Sequence, residues 1–279
     1  MQTHLERHAA RGTGPDDAPP RDVPVLLLHG LGGDRHSWAP LLDGLTATRD
    51  VLVAELPGFG VAPPLPDDVE PSPAALAADV ARALDGAGVE HVHVVGHSLG
   101  AWVALELAEL APGRVRSVVA ITPAGFWSRP LAAREGRAIK VGRRLSPLLP
   151  VLLAPQRVRD AVLHGVLGGS GDVGYRDALA VVRGYVRAAD YERVSGAMRR
   201  RIYDFPSRLA PLAARLPVHV VWATLDRMVS PPRVPLPSAV HVHVLRGAGH
   251  LPMLEQPVRT VRLIVAAADA APAAAATRR

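Results

Sequence analysis

Residues 91–110 read HVHVVGHSLGAWVALELAEL. His91–Val95 is a short valine-rich run with the character of a strand, and AWVALELAEL has the length and composition of a helix, stopped at Ala111-Pro112-Gly113. Between them lies Gly96-His97-Ser98-Leu99-Gly100, a Gly-x-Ser-x-Gly motif. Alone, such a motif recurs by chance. Between a strand and a helix it puts Ser98 on a sharp turn that tolerates little neighbouring bulk. Gly96 and Gly100 remove that bulk, and the helix N-terminus aims free N–H groups at any anion formed beside Ser98.

Working outward, the same alternation recurs. Val23–Leu28, Val51–Ala54, Val115–Ile121, Val218–Ala223 and Val240–Leu245 are further strand candidates. Near-continuous apolar runs such as VPVLLL suit parallel strands covered on both faces. Ser72-Pro73 gives an N-cap and a first-turn proline to a helix running toward Gly86, with Leu76, Val80 and Leu84 on one face. Strand–helix alternation predicts an α/β fold with a mostly parallel twisted sheet and helices on both faces. The alternation fails after Ile121. The expected organisation is a core of 23–125 and 209–268, a helical cap at 126–208 over the sheet's carboxyl edge, a tail or weak leading strands at 1–22, and a tail at 269–279. Trp38, Trp102 and Trp222 are expected in the core or the pocket wall.

A serine hydroxyl is a weak nucleophile until a base takes its proton. His250 is the best placed of 12 histidines, in the loop Gly247-Ala248-Gly249-His250 after the last strand candidate. That imidazole needs an acid to fix its tautomer, and Asp226 ends the run VHVVWATLD. The rival position after Ile121 offers only Thr122, Pro123 and Ala124. The chain order Ser98, Asp226, His250 fits a nucleophile on a strand-to-helix turn. His29-Gly30-Leu31-Gly32-Gly33 follows the Val23–Leu28 strand, and the N–H groups of Leu31 and Leu99 are the expected oxyanion donors. His29 and His97 are expected to shape the site rather than react. The histidines at 91, 93, 241 and 243 lack the third ligand a metal site needs, so neither metal nor cofactor is expected.

With no cysteine, disulfides, thiolate sites and cysteine nucleophiles are excluded. The N-terminus has no apolar signal-like core and no run reaches membrane-spanning length, so a cytoplasmic chain without a transmembrane segment is expected. Net charge is +6, but its distribution is uneven: residues 126–208 hold 16 basic residues against seven acidic ones. A solvated arginine-rich surface is the expected reading. Nucleic acid is disfavoured, since aromatic content is only 4% and base stacking needs more. Leu145–Pro155, LSPLLPVLLAP, is flanked by arginines and is expected to line an acyl pocket, with contact to lipid as the alternative. Oligomeric state is not encoded legibly.

The segments LLLHGLGG, ELPGFG, VVGHSLGAWVALELA, WATLDRMV and GAGHLPMLEQP resemble the marker blocks of the α/β-hydrolase superfamily. That resemblance implies an acyl-enzyme formed on the serine under a helical cap. Serine at 98 sets the chain apart from the haloalkane dehalogenase and epoxide hydrolase branches, which use aspartate there. Glu55 stands where the family's aspartate precedes Pro-Gly-x-Gly, and is expected to support the loop. The family's leading antiparallel strands are hard to find in residues 1–22. The expected activity is hydrolysis of a small, hydrophobic carboxylic ester. C–C bond hydrolysis of vinylogous diketones, thioester or lactone hydrolysis, cofactor-free haloperoxidase-type chemistry and a non-enzymatic binding role are the alternatives.

Overall fold

The computed structural model describes residues 1–11, 21–131, 137–168 and 173–271. Seven strands form one sheet: β1 (His4–His8), β2 (Arg21–Leu28), β3 (Arg49–Glu55), β4 (Val92–His97), β5 (Val115–Ile121), β6 (Val218–Ala223) and β7 (His241–Leu245). Their spatial order is β1-β3-β2-β4-β5-β6-β7, and every pair is parallel except β1 with β3. The inner strands are buried on both sides. Along β2, Leu26 and Leu28 face one helical layer while Val25 and Leu27 face the other, which is why VPVLLL shows no polar alternation.

The first layer holds α2 (Pro73–Gly86) and α3 (Leu99–Leu110); the second holds α1 (Ala39–Thr46) and, at the C-terminal side, a helix over Pro257–Asp269. Ser72 caps α2 by accepting the Ala75 N–H at 3.2 Å. Trp38, Trp102 and Trp222 are all buried.

The N-terminal stretch, expected as a tail or weak leading strands, contains a strand. HLERH has no apolar alternation, so its pattern gives no signal. β1 forms because it pairs with β3 antiparallel from His4↔Glu55 to His8↔Val51, and because Asp79 anchors the residues before it. The Asp79 carboxylate accepts the N–H groups of Gln2 at 2.8 Å and Thr3 at 2.6 Å, the Thr3 hydroxyl at 2.8 Å, and Arg82 Nη2 at 2.6 Å. Burial pushes that carboxyl up, but these donors outweigh it and leave it below the ordinary range. Asp79→Ala is therefore expected to cost about 3 kcal/mol at neutral pH by stranding buried donors. The folded state favours the charged form, so this contribution is complete above about pH 4 and fades as pH falls through the lowered value. Urea unfolding of parent and variant should show the gap narrowing at acid pH.

Between β5 and β6 the α-helices among the described residues are α4 (Arg137–Leu145), α5 (Leu149–Leu152), α6 (Gln156–Leu163), α7 (Tyr175–Arg187), α8 (Tyr191–Arg199) and α9 (Phe205–Ala213), with no strand among them. After β7 come α10 (Pro252–Glu255) and α11 (Pro257–Asp269). Residues 12–20 and 272–279 of the expected tails, and 132–136 and 169–172 of the expected cap, lie outside the described residues.

Four of the arginines in 126–208 differ from the expected solvated surface. Arg208 reaches Glu106 Oε2 at 2.6 Å and Glu109 Oε2 at 2.7 Å on α3, Arg200 and Arg201 hold Glu70, and Arg193 holds Asp190 while donating to the carbonyls of Leu65, Pro66 and Val69. These arginines tie the inserted helices to the acidic α/β layer. Leu145–Pro155 also departs from expectation: Leu149 and Leu153 are buried against Leu179 and Val186 of α7, whereas Leu145, Leu148, Val151 and Leu152 face outward.

Candidate active site

β4 ends at His97 and α3 begins at Leu99, leaving Ser98 alone to make the turn. Its backbone sits at φ 51°, ψ −112°, a strained conformation costing roughly 1–3 kcal/mol. Surrounding bonds hold it there. Ser98 N–H donates to Ile121 O at 2.9 Å, and its carbonyl accepts from Ala101 at 3.1 Å and Ala124 at 3.1 Å. A Cβ on Gly96 would strike the Gly100 carbonyl, and one on Gly100 would strike the carbonyls of Leu28 and His29. Only glycine lets α3 start so close to the end of β2.

Asp226 follows β6 and His250 follows β7, both at carboxyl ends of parallel strands, and the two side chains meet. His250 Nδ1 lies 2.8 Å from Asp226 Oδ2. A carboxylate there accepts, so Nδ1 carries the proton, and in the neutral ring Nε2 keeps its lone pair. Asp226 Oδ1 accepts the N–H groups of Met228 at 2.7 Å and Val229 at 3.0 Å. Burial raises the Asp226 carboxyl, but His250 and these two donors more than offset it, leaving Asp226 below the ordinary carboxylate range. Asp226 stays charged at neutral pH.

Ser98 and His250 are linked through His97, with no direct hydrogen bond between their side chains among the described residues. His97 Nε2–H donates to the His250 carbonyl at 2.7 Å, and the two rings lie 4.7 Å apart. Burial, and then the neighbouring His250, push His97 down to about 3, so it is neutral and fit to shape the loop. His29 has a comparable role. Leu56 N–H donates to its Nε2 at 3.0 Å and its Nδ1 lies 2.8 Å from Gly30 O, joining the loops after β2 and β3.

Gly30 packs beside His97 and Ser98: a Cβ there would lie 3.2 Å from the Ser98 Cβ. Leu31 follows it, and Leu99 is the first residue of α3. Neither N–H has a protein acceptor among the described residues, and the Leu99 side chain is fully buried. The Leu99 N–H, at a helix start, and the Leu31 N–H, in the turn after β2, are suited to an oxyanion. Glu55 supports its loop, accepting Val61 N–H at 2.9 Å and Arg35 Nη1 at 3.1 Å.

Glu255 escaped the sequence reading. Its two oxygens accept Gly249 N–H at 2.9 Å and Gly168 N–H at 2.7 Å, while His250 N–H donates to Val166 O at 2.7 Å. The loop carrying His250 is thereby fastened to the turn after α6. Burial holds the Glu255 carboxyl above its ordinary range, despite those backbone donors. Its signal was a glutamate five residues after His250, but its distant partner, Gly168, has no local pattern.

Comparison with known proteins agrees with this architecture. The chain is 32% identical over 255 residues to the dihydrolipoyllysine-residue acetyltransferase component of the acetoin cleaving system from Cupriavidus necator, covering 90% of this chain and 63% of that relative's length. It is 32% identical over 220 residues to epoxide hydrolase EphH of Mycobacterium tuberculosis, covering 69% of this chain and 93% of that one. Among solved structures, an esterase from Exiguobacterium antarcticum superposes with a TM-score of 0.69 at 12% identity, over 95% of this chain and 94% of that one. The sequence model of the alpha/beta hydrolase family matches residues 25–263. With the sheet order, the strand-to-helix elbow at Ser98 and the family match in agreement, the chain belongs to the α/β-hydrolase family.

Proposed function

We propose that this protein is a serine hydrolase of carboxylic esters or closely related acyl compounds. The observation that carries this reading is the 2.8 Å bond from His250 to a charged Asp226, with the His250 ring packed on His97, the residue before a serine held at positive φ. In the proposed reaction, Ser98 Oγ attacks the acyl carbon while His250 Nε2 takes its proton. The imidazolium that forms is stabilised by Asp226, and the oxyanion by the N–H groups of Leu31 and Leu99. His250 then gives its proton to the leaving oxygen, and the acyl group remains on Ser98. Water, deprotonated by the same imidazole, attacks the acyl-enzyme and releases the acid.

Residues 126–208 serve in this reading as the cap. Asp190 N–H bonds to Gly58 O, and Gly184 and Gly168 pack on Gly32 and Gly249, so inserted helices and turns reach the loops after β2, β3 and β7. A small, largely apolar acyl compound would bind beneath them. The epoxide hydrolase relative raises ring opening as another use of the fold. Serine at the elbow favours acyl transfer, because an alkoxide bonded to an epoxide carbon forms an ether that water does not cleave.

Asp226→Asn tests the assignment of the acid. The amide reverses the hydrogen bond to Nδ1 and favours the wrong tautomer, so kcat on p-nitrophenyl esters is expected to fall about 10⁴-fold with KM little changed. A panel running from short to long acyl chains, thioesters and vinylogous diketones then identifies the substrate class. Turnover of none of these by the parent would contradict the proposal.

A further inference from the structure

The outward face of the inserted helices has no use in the proposed reaction. Val141, Leu145, Leu148 and Leu152 recur every three or four residues from α4, through the 3-10 turn Ser146–Leu148, into α5. All four are exposed, and Val151 beside them is 74% exposed. Leu149 and Leu153 cover the opposite side, packed on α7. This stretch is thus apolar on two faces while the fold covers only one. On α6, Val158 and Val162 repeat the arrangement, exposed one turn apart, with Leu163 buried beneath. Scattered apolar side chains on a surface need no explanation, but a run of seven along one segment marks a face that meets something.

Charge identifies the partner. Arg143, Arg144, Arg157 and Arg159 lie along the same segment. Arg143 donates to the carbonyls of Val186 at 3.0 Å and Ala188 at 2.6 Å; Arg159 donates to those of Leu153 at 2.9 Å and Ala154 at 2.6 Å. Carbonyl acceptors orient a guanidinium without neutralising it. Among the described residues none of the four has a carboxylate within ion-pair distance, whereas Arg193, Arg200, Arg201 and Arg208 all do. The segment's acid, Asp160, accepts from Gln156 at 2.8 Å. Leucine and valine flanked by uncompensated arginine is the composition that lies in a lipid headgroup layer, apolar side chains inserted and cations against phosphates. A second copy meeting this face across a two-fold axis would bring arginines against arginines.

We propose that α4, α5 and α6 form a peripheral docking face for an anionic phospholipid surface. The face lies away from Ser98, Asp226 and His250, so docking is independent of turnover. The test is co-sedimentation of the full chain with vesicles of roughly equimolar phosphatidylglycerol and phosphatidylcholine, and with phosphatidylcholine alone. Binding to the anionic vesicles is expected to be at least about tenfold tighter, and to weaken as salt rises from roughly 0.05 to 0.5 M. Leu148→Glu with Val151→Glu is expected to reduce that binding about tenfold or more. Its circular dichroism and its activity on a short soluble ester should match the parent. Arg144→Glu with Arg157→Glu should weaken binding and flatten the salt dependence. The proposal is overturned if the parent does not sediment with anionic vesicles, or if the variant carrying Leu148→Glu and Val151→Glu binds as the parent does. Self-association that this same variant loses, without vesicle binding by the parent, would assign the face to a second copy and also overturn it.

Discussion

Ser98→Ala is expected to lower kcat on a short p-nitrophenyl ester by about 10⁶-fold while leaving the fold unchanged. Both halves follow from the elbow. The hydroxyl has no protein partner among the described residues, so its removal strands no donor or acceptor. The strained φ of 51° belongs to the backbone and burdens alanine as it does serine. Unfolding free energy should therefore stay within about 0.5 kcal/mol of the parent. In the proposed reaction the variant lacks its nucleophile, and only the proposed oxyanion donors and binding remain to assist attack by water. Steady-state kinetics with urea unfolding separates the two halves.

His250→Ala is expected to cost turnover about as much, on the order of 10⁶-fold, because nucleophile and base work as a unit. Unlike the serine variant, it should also destabilise the protein. Asp226 would lose its imidazole partner and keep the N–H groups of Met228 and Val229, and the ring packed 4.7 Å from His97 would leave a gap. A loss of about 1–3 kcal/mol is expected, measured by urea unfolding at neutral pH. The Asp226 carboxyl should move up toward the ordinary carboxylate range, since His250 is among the groups that hold it down.

What was legible in the sequence were features whose cause is local. Strand, tight turn and helix at 91–110 are written in neighbouring residues, and Ser72-Pro73 marks the start of α2 for the same reason. Asp226 and His250 could be picked because each follows a readable strand. β1 was not legible, because its stability comes from a ladder with β3 and from Asp79, more than 70 residues away in sequence. The arginines at 193, 200, 201 and 208 looked like a solvated surface because their carboxylate and carbonyl partners include residues in other parts of the chain. Leu145–Pro155 read as pocket lining because composition does not say which way a leucine faces; burial of Leu149 and Leu153 leaves the others pointing out. Glu255 was silent for the same reason as Asp79, a carboxylate acting on a distant backbone.

The central claim is that Ser98 is the nucleophile, and covalent labelling tests it most directly. The parent should gain the mass of one fluorophosphonate adduct, with the modified peptide containing Ser98, and Ser98→Ala should gain none. Ester turnover by a parent that takes no label, or an adduct on another residue that persists in Ser98→Ala, would contradict it.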